Sequence, residues 1–515
     1  MTHAPIKEKD DCPVTPTDLP PVRTTSPRMH FAPRNNWMND PNGLVFHDGL
    51  YHLYFQYNPQ GVEHANLSWG HATSTDLLRW TEHDPAILCD DDAQIYSGSV
   101  VVDHGNTSGF GTDQDPALVA LYTAAAPGHQ AQALAYSTDG GYVWTKYSGN
   151  PVLDRGTSDF RDPKVFRYDG PAGSYWVMVA VEALDKKVVL YRSDNLRDWT
   201  YLSEFGPANA TGGIWECPDL FELAVDGDPA TTRWVLVINL NPGGVAGGSA
   251  GQYFVGEFDG VTFRSESTVP ADPGLEPGSR AELERYDWLD WGSDYYAAVS
   301  FFGTGGLDHR VMVGWLNNWE YAHALAVGPI LRSRMALPRR VELVTTPTGP
   351  RLRQSVVPEL AGRLATDAAV RRDGATLDGV TPLDVAATAA HISVTLAPGT
   401  ASTCGLRLLG DDEHGTLVGY DARTGRVFVD RSAGRDPGVG DAFLSRDEAP
   451  LPATATDGPV HLDVYIDGGS VEVFAADGLR TITQLQFPPS GAGRIDGFAT
   501  DGVAELVSLT VTPII

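Results

Sequence analysis

A short turn motif recurs along the first two thirds of the chain at long, nearly regular intervals. Ser74-Thr-Asp-Leu-Leu-Arg-Trp80 resembles Ser137-Thr-Asp-Gly-Gly-Tyr-Val-Trp144, and both resemble Ser193-Asp-Asn-Leu-Arg-Asp-Trp199. The tryptophans are 64 and then 55 residues apart, and a weaker echo, Phe258-Asp-Gly-Val-Thr-Phe263, ends 64 residues beyond Trp199. Around these turns lie short β-rich runs with little helical periodicity. An all-β unit repeated at about 60 residues predicts the blades of a propeller, and the roughly 310 residues available hold five. Each unit opens with a comparable apolar strand: Leu44–Phe46, Ser99–Val102, Pro163–Phe166, Pro218–Leu223 and Tyr295–Phe302. Innermost strands of a propeller converge on one axis, so residues distant in sequence meet at one end of it.

The texture changes after Met335-Ala-Leu-Pro-Arg339. Runs such as His391–Leu396, Thr416–Tyr420, Val427–Asp430, Val460–Ile466 and Ser470–Phe474 alternate in and out and are separated by Asp-Gly turns. They predict an antiparallel β-sandwich. The expected organisation is an N-terminal arm over 1–27, a five-bladed propeller over 28–338, a linker over 339–359 and a sandwich over 360–515. No catalytic constellation stands out in the sandwich, which reads as a packing or carbohydrate-contact module.

With 42% hydrophobic residues, disorder is not the default, and 55 Gly with 36 Pro suit a turn-rich β protein. The formal charge of −29 argues against nucleic acid or an anionic membrane as partner, since both need basic patches. It suits a neutral substrate and is compatible with a homo-oligomer. Cys12, Cys89, Cys217 and Cys404 lie far apart without a C-x-x-C pair, which argues against a disulfide framework or a zinc site. The opening MTHAPIKEKDD does not read as a secretory signal, so the expectation is a cytoplasmic protein, or a secreted one if the N-terminus has been trimmed.

Three carboxylates stand in unusual company, each just before one of the apolar strands. Asp40 lies in Trp37-Met-Asn-Asp-Pro-Asn-Gly43, Asp162 in Phe160-Arg-Asp-Pro163 and Glu216 in Trp215-Glu-Cys-Pro-Asp219. Singly, each has a structural reading: an Asx turn at Asp40, an ion pair with Arg161 at Asp162, a solvated acid at Glu216. Asn42-Gly43 in particular reads as a turn feeding a strand. Trp215, Cys217 and Phe221 predict an apolar setting for Glu216 that favours its protonated form. Two carboxylates, one ionised and one protonated, are the minimum apparatus for cleaving a glycosidic bond. A separation of about 5–5.5 Å gives retention and about 6.5–9.5 Å inversion. Trp37, Trp69, Tyr96, Trp215 and Trp315 are candidate surfaces for sugar faces, and Asn39, Gln56, Ser97 and Arg161 candidate partners for hydroxyls. Trp80, Trp144 and Trp199, at the repeat spacing, are assigned to packing.

These motifs, with FQYNP (55–59), WGHATSTDLLRW (69–80), YSGS (96–99), GWLNNWEYA (314–322) and SVEVF (470–474), closely resemble glycoside hydrolase family 32, the invertase, inulinase and levanase group. The resemblance runs from about His30 to the end. It implies a five-bladed propeller plus a β-sandwich and no metal or cofactor. It implies Asp40 as nucleophile at C2 of a terminal β-fructosyl unit, Glu216 as general acid and then base, and Asp162 as stabiliser of the transition state. Asn39, Gln56, Trp69, Ser97 and Arg161 would line the fructosyl subsite, with Trp315 also a binding residue. Hydrolysis and fructosyl transfer share the implied intermediate. A non-catalytic sugar-binding propeller and an inverting arabinan-cleaving propeller are the competing readings.

Three departures stand out. Tyr96 replaces the usual Phe in YSGS. Leu331-Arg-Ser-Arg-Met-Ala-Leu-Pro-Arg339 lacks the Trp and Gly of W-R-G-x-M-x-L-P-R. Gly61-Val-Glu-His-Ala-Asn-Leu67 lacks the aromatic often found there, on the side where leaving groups are distinguished.

Overall fold

The computed structural model describes residues 27–515 apart from 113, 172, 326–332, 412–413, 457 and 490. Residues 1–26 of the expected arm, Cys12 among them, lie outside the described residues, as does the Leu331-Arg332 part of the departing loop. The rest is a five-bladed propeller followed by a β-sandwich. The inner strands of the blades are Trp37–His47, Gln94–Val102, Phe160–Gly170, Ile214–Val225 and Tyr296–Ser300. Each blade is an antiparallel meander of four strands, and the second carries one extra edge strand, Leu153–Thr157. The ring closes where the last inner strand docks on the first: Phe302 N donates to the Leu44 carbonyl (2.8 Å) and Phe46 N to the Phe302 carbonyl (2.9 Å).

The repeated motif is the turn before the last strand of a blade. Asp76 Oδ1 accepts from Leu78 N and Arg79 N at 3.0 and 2.7 Å. Asp139, Asn195 and Asp259 accept in the same way from Val143, Asp198 and Thr262. These are Asx turns, which satisfy backbone donors that no ladder reaches. Trp80, Trp144 and Trp199 each donate the indole N–H to the carbonyl three residues earlier, at 2.9, 3.0 and 3.1 Å. Their assignment to packing holds.

Two expectations are corrected. The stretch 339–359, read as a linker, contains Arg339–Thr346 and Gly349–Val356, a pair of strands that complete the fifth blade. The apolar and polar alternation of Arg339–Thr346 is that of a half-buried strand, which the Pro and Gly nearby obscured. Asn42-Gly43 is not a turn either: both lie inside the first inner strand. Gly43 has φ +52°, and a Cβ there would meet the rings of Tyr54 and Trp69 at 2.7 and 3.0 Å. Glycine serves close packing at this point rather than chain reversal.

In the sandwich the last strand, Arg494–Pro513, serves both halves. Its first part pairs with Thr403–Gly410 and its second with Ala389–Ala397. Buried charges tie the two domains together. Arg339, wholly buried, reaches Asp290 (2.9 Å) in the propeller and Glu472 (3.0 Å) and Thr483 (2.6 Å) in the sandwich. His30 lies between Asp467 (2.8 Å) and Glu472 (2.9 Å). Burial works against charge on His30, but the two carboxylates outweigh it and raise its pKa. Charges this deep persist only when paired, because each alone carries a desolvation cost of several kcal/mol. Replacing Arg339 with Met strands Asp290 without a counter-charge and leaves Glu472 with His30. Urea unfolding of Arg339→Met is expected to show a loss of about 3–5 kcal/mol; a loss below about 1 kcal/mol would mean that the pairing contributes little.

Candidate active site

Each inner strand carries a bulge at the same level. Cα pairing jumps from Met38 to Pro41 in the first, from Ile95 to Gly98 in the second and from Arg161 to Lys164 in the third. It jumps from Glu216 to Asp219 in the fourth and from Tyr296 to Val299 in the fifth. In every case two residues face one. A bulge kinks the strand and re-aims side chains away from the ladder. Proline is tolerated there because no ladder donor is lost, which accounts for Pro163 and Pro218 within two of the bulges. Asp162, Cys217 and Ala297 take φ of +62°, +45° and +52°. Aspartate tolerates that conformation; for cysteine and alanine it is strained. The polar motifs expected just before the strands are therefore inside them.

The bulges bring the three carboxylates into one cavity of about 340 Å³, whose lining includes Asn39, Asp40, Gln56, Ser97, Arg161, Asp162 and Glu216. Asp40 accepts from Asn39 Nδ2 (2.9 Å) and Ser97 Oγ (2.7 Å). Cys217 Sγ touches Asp40 Oδ2 at 3.6 Å and Asp162 Oδ2 at 3.7 Å. Asp162 also accepts from Cys217 N (2.9 Å). Arg161 Nη2 meets Glu216 Oε1 at 3.0 Å, and its Nε stands 3.9 Å from Asp162. Gln56 points its amide at the Ile95 carbonyl (3.0 Å).

Burial pushes the Asp40 carboxyl up; the Ser97 and Asn39 hydrogen bonds oppose this, and the charge of Glu216 adds to it. Burial likewise raises Asp162, with Arg161 opposing and Glu216 reinforcing. One guanidinium cannot offset three ionised carboxylates at this range, so the group favours retention of a proton.

Not every expected residue reaches the cavity. Trp69 is fully buried behind it, its indole N–H on the Tyr96 carbonyl (3.0 Å). Trp315 is fully buried against Trp319, with centroids 4.8 Å apart. Trp37 is buried as well, and Trp215 packs into the core with its N–H on the Ala210 carbonyl (3.0 Å). A large aromatic beside a polar motif packs as readily beneath the site as along it, and these four lie in the core. Tyr96 does line the cavity. The apolar setting expected for Glu216 is also corrected. Trp215 and Phe221 turn into the core, and the carboxylate meets Arg161 and the Tyr296 hydroxyl, which donates to Oε2.

Tyr296 was not anticipated, and nor were His64, Leu67, Gln130, Asn241, Trp319 and His323 in the lining. Tyr296 stands at its bulge where Glu216 stands at its own. Aligning the five inner strands on their bulges was the signal that would have found it.

The family model for the N-terminal domain of glycosyl hydrolases family 32 matches residues 30–355, and that for the C-terminal domain matches 362–513. The chain belongs to glycosyl hydrolase family 32. The first match ends within the strands that complete the fifth blade. A levanase of Bacillus subtilis is 40% identical over 95% of this chain and 70% of its own length. An extracellular exo-inulinase of Aspergillus ficuum is 40% identical over 94% of this chain and 93% of its own. Among solved structures, exo-inulinase from Aspergillus awamori superposes with a TM-score of 0.88 at 38% identity, covering 96% of this chain and 99% of that one. A β-fructofuranosidase from Schwanniomyces occidentalis complexed with fructosyl-erythritol gives 0.83 at 30% identity, covering 97% and 99%.

The raised carboxyl of Asp162 has a consequence for stability. A carboxyl whose pKa is higher folded than unfolded binds its proton more tightly in the native state. The cost of ionising it is absent below the unfolded value near 4 and grows as pH rises through the folded value. Asp162→Asn is therefore expected to stabilise the protein by about 1–3 kcal/mol at pH 8, with the gain vanishing toward pH 4. Unfolding curves across that range check this. A variant less stable than wild type at pH 8 would show that the Arg161 contact outweighs burial.

Proposed function

We propose that this family 32 glycosidase is a retaining, exo-acting β-fructofuranosidase that releases terminal fructose from sucrose, fructo-oligosaccharides or fructans. The observation that carries the reading is the meeting of Asp40, Asp162 and Glu216, from three blades, in a pocket that also holds donors for sugar hydroxyls. Relatives named levanase, exo-inulinase and β-fructofuranosidase support the substrate class.

The roles follow from each group's surroundings. Asp40 is the nucleophile: Ser97 and Asn39 fix both of its oxygens, which orients it and favours its ionised form. It attacks C2 of the fructosyl unit, and the C2–O bond to the leaving group breaks. Glu216 gives its proton to that oxygen as it departs, and Arg161 and Tyr296 receive the resulting carboxylate with hydrogen bonds. Glu216 then takes a proton from water, which attacks C2 and releases fructose from Asp40. Asp162, held by Cys217 N, faces hydroxyls of the bound ring and stabilises positive charge developing on it. Gln56, Ser97 and Arg161 complete the fructosyl site. Trp69 and Trp315 support it from behind instead of touching sugar.

Asp40→Ala and Glu216→Ala are each expected to lower fructose release from sucrose at least about 1,000-fold, with circular dichroism unchanged. Near-normal turnover by either would end the proposal. The extracellular relatives favour export over the cytoplasm for this protein too. Activity recovered from the culture medium of the native host would agree, and activity confined to washed cells would not.

A further inference from the structure

We propose that His64 and His323, with Trp319 beside them, form the leaving-group wall of the pocket and recognise the hydroxyls of the sugar attached to the fructosyl unit. This rests on the fructosidase reading above. All three rings line the cavity that holds Asp40 and Glu216. Exposure rises outward: Asn39 and Trp37 are buried, His64 and Trp319 half-buried, His323 exposed. A terminal unit seated on the carboxylates thus has these rings on the outward side of the pocket, where its neighbour would meet them.

The wall is fixed relative to the chemistry. His323 stacks on Trp37 at 5.3 Å and 8°, and Trp319 lies 5.9 Å from Trp37 at 24°. His64 meets Trp319 edge-on at 5.0 Å and His323 at 5.7 Å. Trp37 Nε1 donates to Asn39 Oδ1 (2.7 Å), and Asn39 Nδ2 donates to Asp40 (2.9 Å). Two hydrogen bonds thus connect the ring stack to the nucleophile.

Imidazole offers what indole and phenyl do not. Among the described residues, no polar group meets the ring nitrogens of His64. Burial among the rings, with His323 beside it, holds its pKa down at about 4. Near neutral pH the ring therefore presents one donor and one acceptor. A sugar hydroxyl also donates and accepts, so the two match. An apolar leaving group would gain only ring contact.

The test compares sucrose and 1-kestose, whose leaving groups carry ring hydroxyls, with p-nitrophenyl β-D-fructofuranoside, whose leaving group has none. His64→Phe keeps the edge-on ring contact and removes the nitrogens. The ratio of kcat/KM on sucrose to that on the aryl fructoside is expected to fall about five- to tenfold, as for the loss of one or two neutral hydrogen bonds. The ratio for 1-kestose should fall with it, and His323→Phe should act in the same direction. Competitive inhibition by free fructose, which reads the inner site alone, should keep its constant. An unchanged ratio in both variants, or a loss of fructose inhibition in step with activity, overturns the assignment. Failure of the wild-type protein to release fructose from any of the three would instead sink the fructosidase reading.

Discussion

Two residues facing one, at the same level of all five inner strands, is the constraint from which the site follows. An unbroken ladder would turn alternate side chains into the packing between blades. The extra residue releases Asp40, Ser97 and Asp162 from that alternation. It also ends the regular run just after Arg161, Glu216 and Tyr296. Because the inner strands converge, five local irregularities become one pocket. The strain at Cys217 and Ala297 is held by the blades around them, as strain at functional sites generally is.

Crowding carboxylates is the electrostatic counterpart of that convergence. Asp40 and Asp162 are both pushed upward, chiefly by burial, and Glu216 adds to each. Arg161 opposes this at Asp162, and the Ser97 and Asn39 hydrogen bonds oppose it at Asp40. A site so arranged opposes folding, because ionising either carboxyl is harder in the folded protein than in the unfolded chain. The domain junction works the other way: three buried cations there, Arg339, Arg431 and His30, each have an anion at hydrogen-bond distance.

Much of this was legible in the chain. The Asx-turn repeat gave the blade number, because such a turn must satisfy its own backbone donors and so needs the same few residue types each time. The three carboxylate motifs and Tyr96-Ser97-Gly98 marked four of the five bulges. The fifth was silent because Ala297 and Ala298 occupy it, and Tyr296 went unread beside an apolar strand. Trp69, Trp215 and Trp315 were misplaced for a related reason. A tryptophan next to a catalytic motif and one beneath it look alike in sequence, and only packing separates them. The linker error was one of punctuation: Pro338 and Gly349 suggested a break where two strands of the fifth blade lie.

The proposed roles, Asp40 as nucleophile at C2 and Glu216 as acid on the leaving oxygen, make a stereochemical commitment. Turnover of sucrose in the presence of methanol, followed by NMR of the methyl fructoside formed, reads it directly. Retention through a fructosyl–Asp40 intermediate predicts methyl β-fructofuranoside. Methyl α-fructofuranoside would mean single displacement and would contradict the placing of Asp40 as nucleophile.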